Sequence, residues 1–452
     1  MLRRPSTTPS PSRFNFRLAA AAAASALLAA CGGGFGPDPG NPPPGALTCV
    51  ELPQEVTWLR STTASAAWHD VLLDPRNRIW LAGWTDGTVG VERTDPGGNS
   101  RAVVRQLSPT GTQLWDSGAL LETSGTDVAE ALTLTAAGTL HVAGRATVSL
   151  GGAVPAGQAD TFVAWSDQPG TATGTWRTFQ TGTDRPQRPR RVMVANNGDV
   201  VVAGYDDVHV PGNHVVAWSD PFALRLQRQG AGTASDRLSL RWQHQFGTEA
   251  ADTVDALATD TAGATFVAGQ VATGSGQGMF LRKLDGAGQT VWTVPYSSIG
   301  LDNVAALVPM IDGSVLMAGT VSGSFRGGVS AGQQDVFVAR ISPVDGRVLA
   351  SAQYGSSGSE WVTDVKVDTR GNIVVLGETD GAMVAGQPNA GASDLFLLRI
   401  APTGSGIGRR QWGTAGDEMA ARLAVDSCGR VVAVGSSTTA GTRAGVLWYW
   451  KP

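Results

Sequence analysis

Short apolar runs separated by glycine- and aspartate-rich turns recur along most of this chain, and no long stretch has the 3.6-residue spacing of a helix. One run returns seven times. It is β-branched or apolar and ends in glycine, first as Arg-Asn-Arg-Ile-Trp-Leu-Ala-Gly at Gly83 and then at Gly144, Gly204, Gly269, Gly319, Gly377 and Gly435. The intervals are 61, 60, 65, 50, 58 and 58 residues. Other features keep step with it. Before the run lies an alternating segment such as Val365-Lys366-Val367, then a turn of the Asp-x-x-Gly kind, as at Asp260 to Gly263, Asp368 to Gly371 and Asp426 to Gly429. Aspartate caps its own turn backbone and glycine supplies the positive φ, so each is a predicted hairpin. After the run comes an aromatic segment opened by Asp-x-Phe, at Asp160, Asp220, Asp335 and Asp394. A further segment carries Trp115, Trp176, Trp242 or Trp292, with Tyr354 and Trp412 in the fifth and sixth units. Four strands per unit at a period of roughly 50–60 residues predict an all-β, seven-bladed β-propeller of four-stranded antiparallel blades.

These units resemble the bacterial SBBP (seven-bladed β-propeller) repeat. The segments 358–381 (GSEWVTDVKVDTRGNIVVLGETDG) and Ser393–Ile400 (SDLFLLRI) carry the resemblance most fully, and it extends over about residues 55–452. Arg340 and Arg399 stand where that family often has lysine, and the first, third and seventh units match more loosely. The resemblance implies the fold and an exported setting, and no particular activity.

A propeller must close its ring or leave a strand edge exposed. The seventh unit ends in strand c, Gly-Val-Leu-Trp-Tyr-Trp at 445–450, with no fourth strand after it. Residues 55–61, with Trp58, read as a spare strand and are expected to pair with Val446–Trp450 and complete that blade. Cys49, just before the spare strand, and Cys428, in the hairpin of the seventh unit, then fall on one face and are expected to form a disulfide.

The first 30 residues form a different object. Arg3, Arg4, Arg13 and Arg17 precede the small apolar run 18–30, which is too short to span a bilayer. It ends in Leu28-Ala29-Ala30-Cys31-Gly32, which resembles the lipobox of bacterial lipoproteins. That resemblance implies cleavage before Cys31, acylation of Cys31, and, with Gly32 next, sorting to the outer membrane. Residues 1–30 are thus read as signal peptide, 31–48 as a lipidated Gly/Pro-rich tether, and 49–452 as the propeller. Loss of the leader arginines moves the formal net charge from −4 to −8, the wrong sign for a nucleic-acid partner.

Candidate chemistry is sparse. An acid precedes strand a in six units, at Asp127, Asp184, Asp252, Asp302, Glu360 and Asp417, and the topology places these on one face near the axis. Such a ring would gather a cation or, more in keeping with repeated acids in turns, bond its own loops. Asp206, Asp207, His209 and His214 are close enough in sequence to hold a metal, although one polar loop explains them equally. Gly328-Val-Ser330-Ala-Gly332 has the nucleophile-elbow spacing but is followed by a strand instead of a helix. No cofactor is expected. The connection between strands b and c is shortest in the fourth unit, which predicts a rim that is low over blade four, with a ligand there or over the axis. The function expected is a tethered, non-enzymatic module or scaffold that binds an envelope protein or glycan. The alternative is an envelope enzyme acting on polysaccharide or with a quinone in the channel.

Overall fold

The computed structural model describes residues 66–450 except 86–99, 118–119, 122, 124, 151–158, 172–173, 207–218, 249–250, 274–275, 297–301 and 440–441. The chain is all-β and forms seven antiparallel sheets arranged as a propeller. Six sheets have four strands in simple a-b-c-d order. Blade 4, for example, runs Thr253–Thr259, Thr265–Thr273, Gly276–Leu284 and Thr290–Tyr296 from the axis outward. The seventh sheet has three strands among the described residues, Asp417–Val425, Val431–Thr439 and Thr442–Trp450. The expected closing strand at 55–61 lies outside the described residues, as do Cys31 and Cys49.

The apolar side chains sort by strand alternation. On strand b of blade 5, Val315 and Met317 pack toward blade 4 while Leu316 and Ala318 pack toward blade 6. On strand b of blade 1, Trp80 and Ala82 face blade 2 while Ile79 and Leu81 face blade 7. Both faces of each inner sheet are covered, so strand b reads as an unbroken apolar run instead of an alternating one. The described residues form seven such clusters, one between each pair of neighbouring blades. The one that joins blades 7 and 1, including Trp68, Val71, Val434 and Leu447, closes the ring through packing.

The turns form where aspartate and glycine predict them. Gly263, Gly371 and Gly429 donate their amides to the carbonyls of Asp260, Asp368 and Asp426 at 3.1, 2.9 and 3.0 Å. Their φ values are +86°, +79° and +80°. Asn77 takes the same place in blade 1 at φ +59°. The strand-d tryptophans pack blade against blade. Trp115 stacks on Trp176 of the next blade at 6.5 Å, and Trp412 lies 4.0 Å from Trp450 between ring centroids. Trp242 donates its indole N–H to the carbonyl of Gly286 in the following blade at 3.2 Å.

Candidate functional site

The innermost strand of every blade carries a β-bulge at the same place. Pairing with strand b skips His69 in blade 1, Glu130 in blade 2, Arg190 in blade 3 and Asp255 in blade 4. It skips Ala305, Thr363 and Ala421 in blades 5, 6 and 7. Each bulged residue lies 14 positions before the recurrent glycine of its unit, as Asp255 does before Gly269. Each glycine pairs with the residue just before the bulge, as Gly269 does with Val254. There strand a comes so close that a side chain has no room. A Cβ on Gly269 would fall on the carbonyl oxygen of Thr253 and lie 2.8 Å from Val254 Cα; one on Gly319 would fall on the carbonyl oxygen of Asn303. The glycine repeat is thus the mark of the bulge, and bulges re-aim side chains.

All seven bulged residues line one chamber on the propeller axis, about 470 Å³ in volume. Its wall comes from the first half of each inner strand, so it lies toward the face that carries the b–c loops. Arginine dominates the lining: Arg145, Arg188, Arg190, Arg191 and Arg422, against the carboxylates of Glu130 and Asp255. Glu130 meets His69 Nδ1 at 2.9 Å and accepts from Arg145 Nε at 3.2 Å. Burial alone would raise its carboxyl, but the His69 ring and the guanidiniums of Arg145 and Arg190 hold it down at about 2. Arg190 Nε donates to Asp255 Oδ1 at 3.3 Å, and Arg191 Nη2 donates to the carbonyl of Ala305 at 2.7 Å.

Just below the bulges, acids staple neighbouring blades. Asp70 Oδ2 accepts the amide of Leu132 at 2.8 Å, and Asp364 Oδ2 accepts that of Leu423 at 3.0 Å together with Lys366 Nζ at 2.7 Å. Desolvation pushes Asp70 up to about 6. A carboxyl raised in the fold contributes stability that is present below about pH 4 and lost as pH rises through about 6. Asp70→Asn keeps an acceptor for Leu132 and removes that titration. The variant is expected to gain roughly 1–2 kcal/mol over the wild type at pH 8, discounted because Asp70 is partly open to the channel, and nothing at pH 4. Urea midpoints across this range check it, and parallel pH profiles for the two proteins would remove the assignment.

The acids singled out in the sequence lie elsewhere. Asp127, Asp252, Asp302 and Glu360 are buried at the start of strand a, 17 residues before the recurrent glycine. Asp252 accepts the amides of Thr248 and Ala272, Asp302 that of Ser322, and Glu360 that of Ser356 and the hydroxyl of Thr379. Asp127 accepts the hydroxyl of Thr123. None of them lines the chamber. In blades 3 and 7 the equivalent places belong to Gln187 and Glu418, so Asp184 lies exposed in the preceding loop and Asp417 accepts from Ser393 Oγ. The register-keeping acids therefore tie down loops, and the axial charge is basic where an acidic ring was one expectation.

Asp160, Asp335 and Asp394 accept from the strand-d glutamines Gln180, Gln353 and Gln411 at 3.3, 2.7 and 2.9 Å. The same glutamines bond the b–c loops through the carbonyls of Val148, Gly323 and Gly381. The signal for this staple is a repeated Gln-x-Gly at Gln180, Gln245, Gln353 and Gln411. Asp206 is buried at the end of strand b of blade 3, accepts from Gln245 Nε2 at 2.9 Å, and is pushed up to about 6 by burial. Asp207, His209 and His214 lie outside the described residues. Ser330 is in an exposed loop and donates to the carbonyl of Gly332 at 2.9 Å, with strand c of blade 5 following. The b–c connection is short in two blades. Strands b and c are joined through 274–275 in blade 4 and through 440–441 in blade 7, against 323–333 in blade 5 and 380–393 in blade 6.

No family model matches this chain, and no curated protein sequence matches it. Solved structures of similar shape include Sqt1 from Chaetomium thermophilum, at 11% identity and TM-score 0.48 over 88% of this chain and 91% of that one. YCF48 bound to D1 peptide is 14% identical with TM-score 0.46 over 88% and 96% of the two chains. A putative gluconolactonase is 12% identical with TM-score 0.37 over 88% and 93%.

Proposed function

We propose that this chain is an exported, lipid-anchored binding propeller that receives part of an envelope protein or glycan in its axial chamber. The chamber carries this reading. Seven blades each contribute one re-aimed side chain to a single polar cavity held on rigid strands, which is the arrangement a recognition site needs. Cys31 is the anchor in this reading, residues 32–48 are the tether, and the repeat belongs with the SBBP propellers it resembles. Cys49 paired with Cys428 clasps the ring in this reading; Cys428 sits in the a–b turn of blade 7, where its amide donates to Asp426 Oδ1 at 2.9 Å. Cys31→Ser is expected to abolish palmitate labelling and release the protein from membranes. Unchanged membrane fractionation of that variant would reject the anchor.

The binding role is tested on peptide and glycan arrays with the full-length protein and Arg190→Glu. Specific binding lost in the variant supports the chamber as the site, and binding retained at full strength overturns it. The His69–Glu130 pair favours one second reading. A carboxylate-oriented imidazole beside guanidiniums suits a general base acting on an anchored anionic polysaccharide. Turnover of such a substrate that is lost in His69→Ala would establish that reading in place of simple binding.

A further inference from the structure

We infer that the end of the propeller opposite the chamber mouth is a lipid-docking face, by which blades 4 to 6 rest on a bilayer that holds anionic phospholipid. The inference rests on the reading of the chain as lipid-anchored and names the surface that meets the lipid. The outermost strand carries a bulge of its own beside the c–d turn. Pairing with strand c skips Leu114 in blade 1, Val291 in blade 4, Leu349 in blade 5 and Ile407 in blade 6. All four side chains are apolar and exposed, so in these blades the bulge turns an apolar group out to solvent. The turns of blade 5 add Ile311, in the a–b turn and 95% exposed, and Val344, in the c–d turn and 79% exposed. Leu240, on strand d of blade 3, joins them. Among the described residues only two exposed large apolar side chains, Val329 and Met419, lie toward the b–c loops.

Single exposed apolar side chains are ordinary on a protein surface, but a one-sided, connected set marks an interaction face. The set is connected over blades 4 to 6. Trp292, next to Val291, donates its indole N–H to the carbonyl of Pro343, next to Val344, at 3.4 Å. Tyr354, on the strand of Leu349, donates its hydroxyl to the carbonyl of Gly404, in the turn before Ile407, at 2.5 Å. Arginine surrounds the set. Arg340, Arg347, Arg370, Arg399, Arg409 and Arg410 stand on this end and the adjoining wall of blades 5 and 6, with Asp312, Asp345 and Asp368 among them. Asp312 is met by Arg340 and Asp345 by Arg347 at 3.5 Å, while Lys366 and Lys283 are taken by Asp364 and Asp260. Apolar tips flanked by arginine fit the boundary of an anionic bilayer, where the tips enter the headgroup layer and guanidiniums meet phosphates. The tether favours lipid over a protein partner. In the proposed reading it joins the propeller at Cys49, clasped to Cys428 in the a–b turn of blade 7, on this same end. Fully extended, residues 32–48 reach about 60 Å. The anchor thus draws this end toward the bilayer, and the chamber stays open on the far side.

The test is photo-crosslinking of the full-length protein, as isolated from cells, in vesicles of phosphatidylethanolamine and phosphatidylglycerol. The probe is a phosphatidylcholine with a diazirine in its acyl chain, and labelled peptides are mapped by mass spectrometry. Ile311→Asp/Val344→Asp is run beside the wild type, with Val329→Asp as the control on the b–c end. Lipid is expected on the peptides that contain Ile311 and Val344, with about tenfold less in the double variant and no change in the control. In vesicles of phosphatidylcholine alone the yield is expected to fall about threefold, because the anionic headgroups are gone. A thermal melt shows whether the double variant is folded. If it is not, Ile311→Ser/Val344→Ser replaces it and is expected to lose about threefold. Label spread evenly over both ends, label on the b–c loops alone, or equal yields in the wild type and the folded variant overturn the inference. A dimer in solution that the double variant dissolves, with no lipid on those peptides, makes the patch a contact between two copies and overturns it too. The N-terminal peptide reads the anchor separately. Acylated Cys31 with no lipid on this end leaves the anchor and removes the docking face. Lipid on this end with Cys31 unmodified leaves the docking face and removes the anchor.

Discussion

Gly269→Ala is expected to destabilise the propeller by about 3–5 kcal/mol, enough to unfold blade 4 at ambient temperature. The added Cβ meets the carbonyl of Thr253 and the Cα of Val254, both backbone, so no side chain can turn aside. The strand pair must widen at the bulge and give up ladder hydrogen bonds, each worth about 1 kcal/mol net. Gly138→Ala is the matched control. Its φ is +89°, but nothing stands within 4 Å of the new methyl, so only the left-handed penalty of about 1–2 kcal/mol applies. Urea unfolding of the two variants separates the effects. Equal losses would mean that close approach at the bulge is not what demands glycine.

Arg225→Met is the second large loss expected, about 3 kcal/mol. Arg225 is almost fully buried in strand c of blade 3. Its Nε donates to Asp199 Oδ2 at 2.7 Å, its Nη2 to Asn197 Oδ1 at 3.1 Å, and its Nη1 to the carbonyl of Gly263 in blade 4 at 2.7 Å. Removing it strands a buried carboxylate and a turn carbonyl, with the amide of Asn197 at 2.8 Å and the half-exposed Arg241 at 3.0 Å left on Asp199. Arg225→Met/Asp199→Leu is expected to recover at least half of the loss, because the uncompensated charge goes with it. A double variant no more stable than the single one would show that the Gly263 contact, and not the ion pair, is what matters. Arg399 makes the same reach, with its Nη2 on the carbonyl of Gly429 at 2.7 Å, and Lys283 Nζ donates to the carbonyl of Pro343 at 2.9 Å, so among the described residues the basic position of strand c joins blades in three places.

Much of the scaffold could be read from residues alone, because its demands fall on residue type. A turn that needs positive φ selects glycine or asparagine, as at Gly263 and Asn77. A backbone contact that excludes Cβ selects glycine, as at Gly269 and Gly319. Sheets covered on both faces select apolar runs, as at Val315–Ala318. These needs repeat with the blade, so they appear as a period. The loop-tying acids were visible for the same reason, although loop length shifts the eye from Gln187 to Asp184 and from Glu418 to Asp417.

The axial site gave no such signal. Its seven bulged positions hold His69, Glu130, Arg190, Asp255, Ala305, Thr363 and Ala421, six residue types in seven places, because each serves a different side of one cavity. A constant distance from the glycine marks the position but says nothing of where the side chain points. Net charge carried no trace of it either, since it sums the whole surface and the arginines converge only when the ring closes. By itself, the sequence determined the blade, its turns and the number of copies, since these follow from local sterics and strand alternation. Only the tertiary structure decided the site: a bulge turns one residue per blade toward the axis, and closure of the ring brings residues from His69 to Arg422 into a single basic chamber.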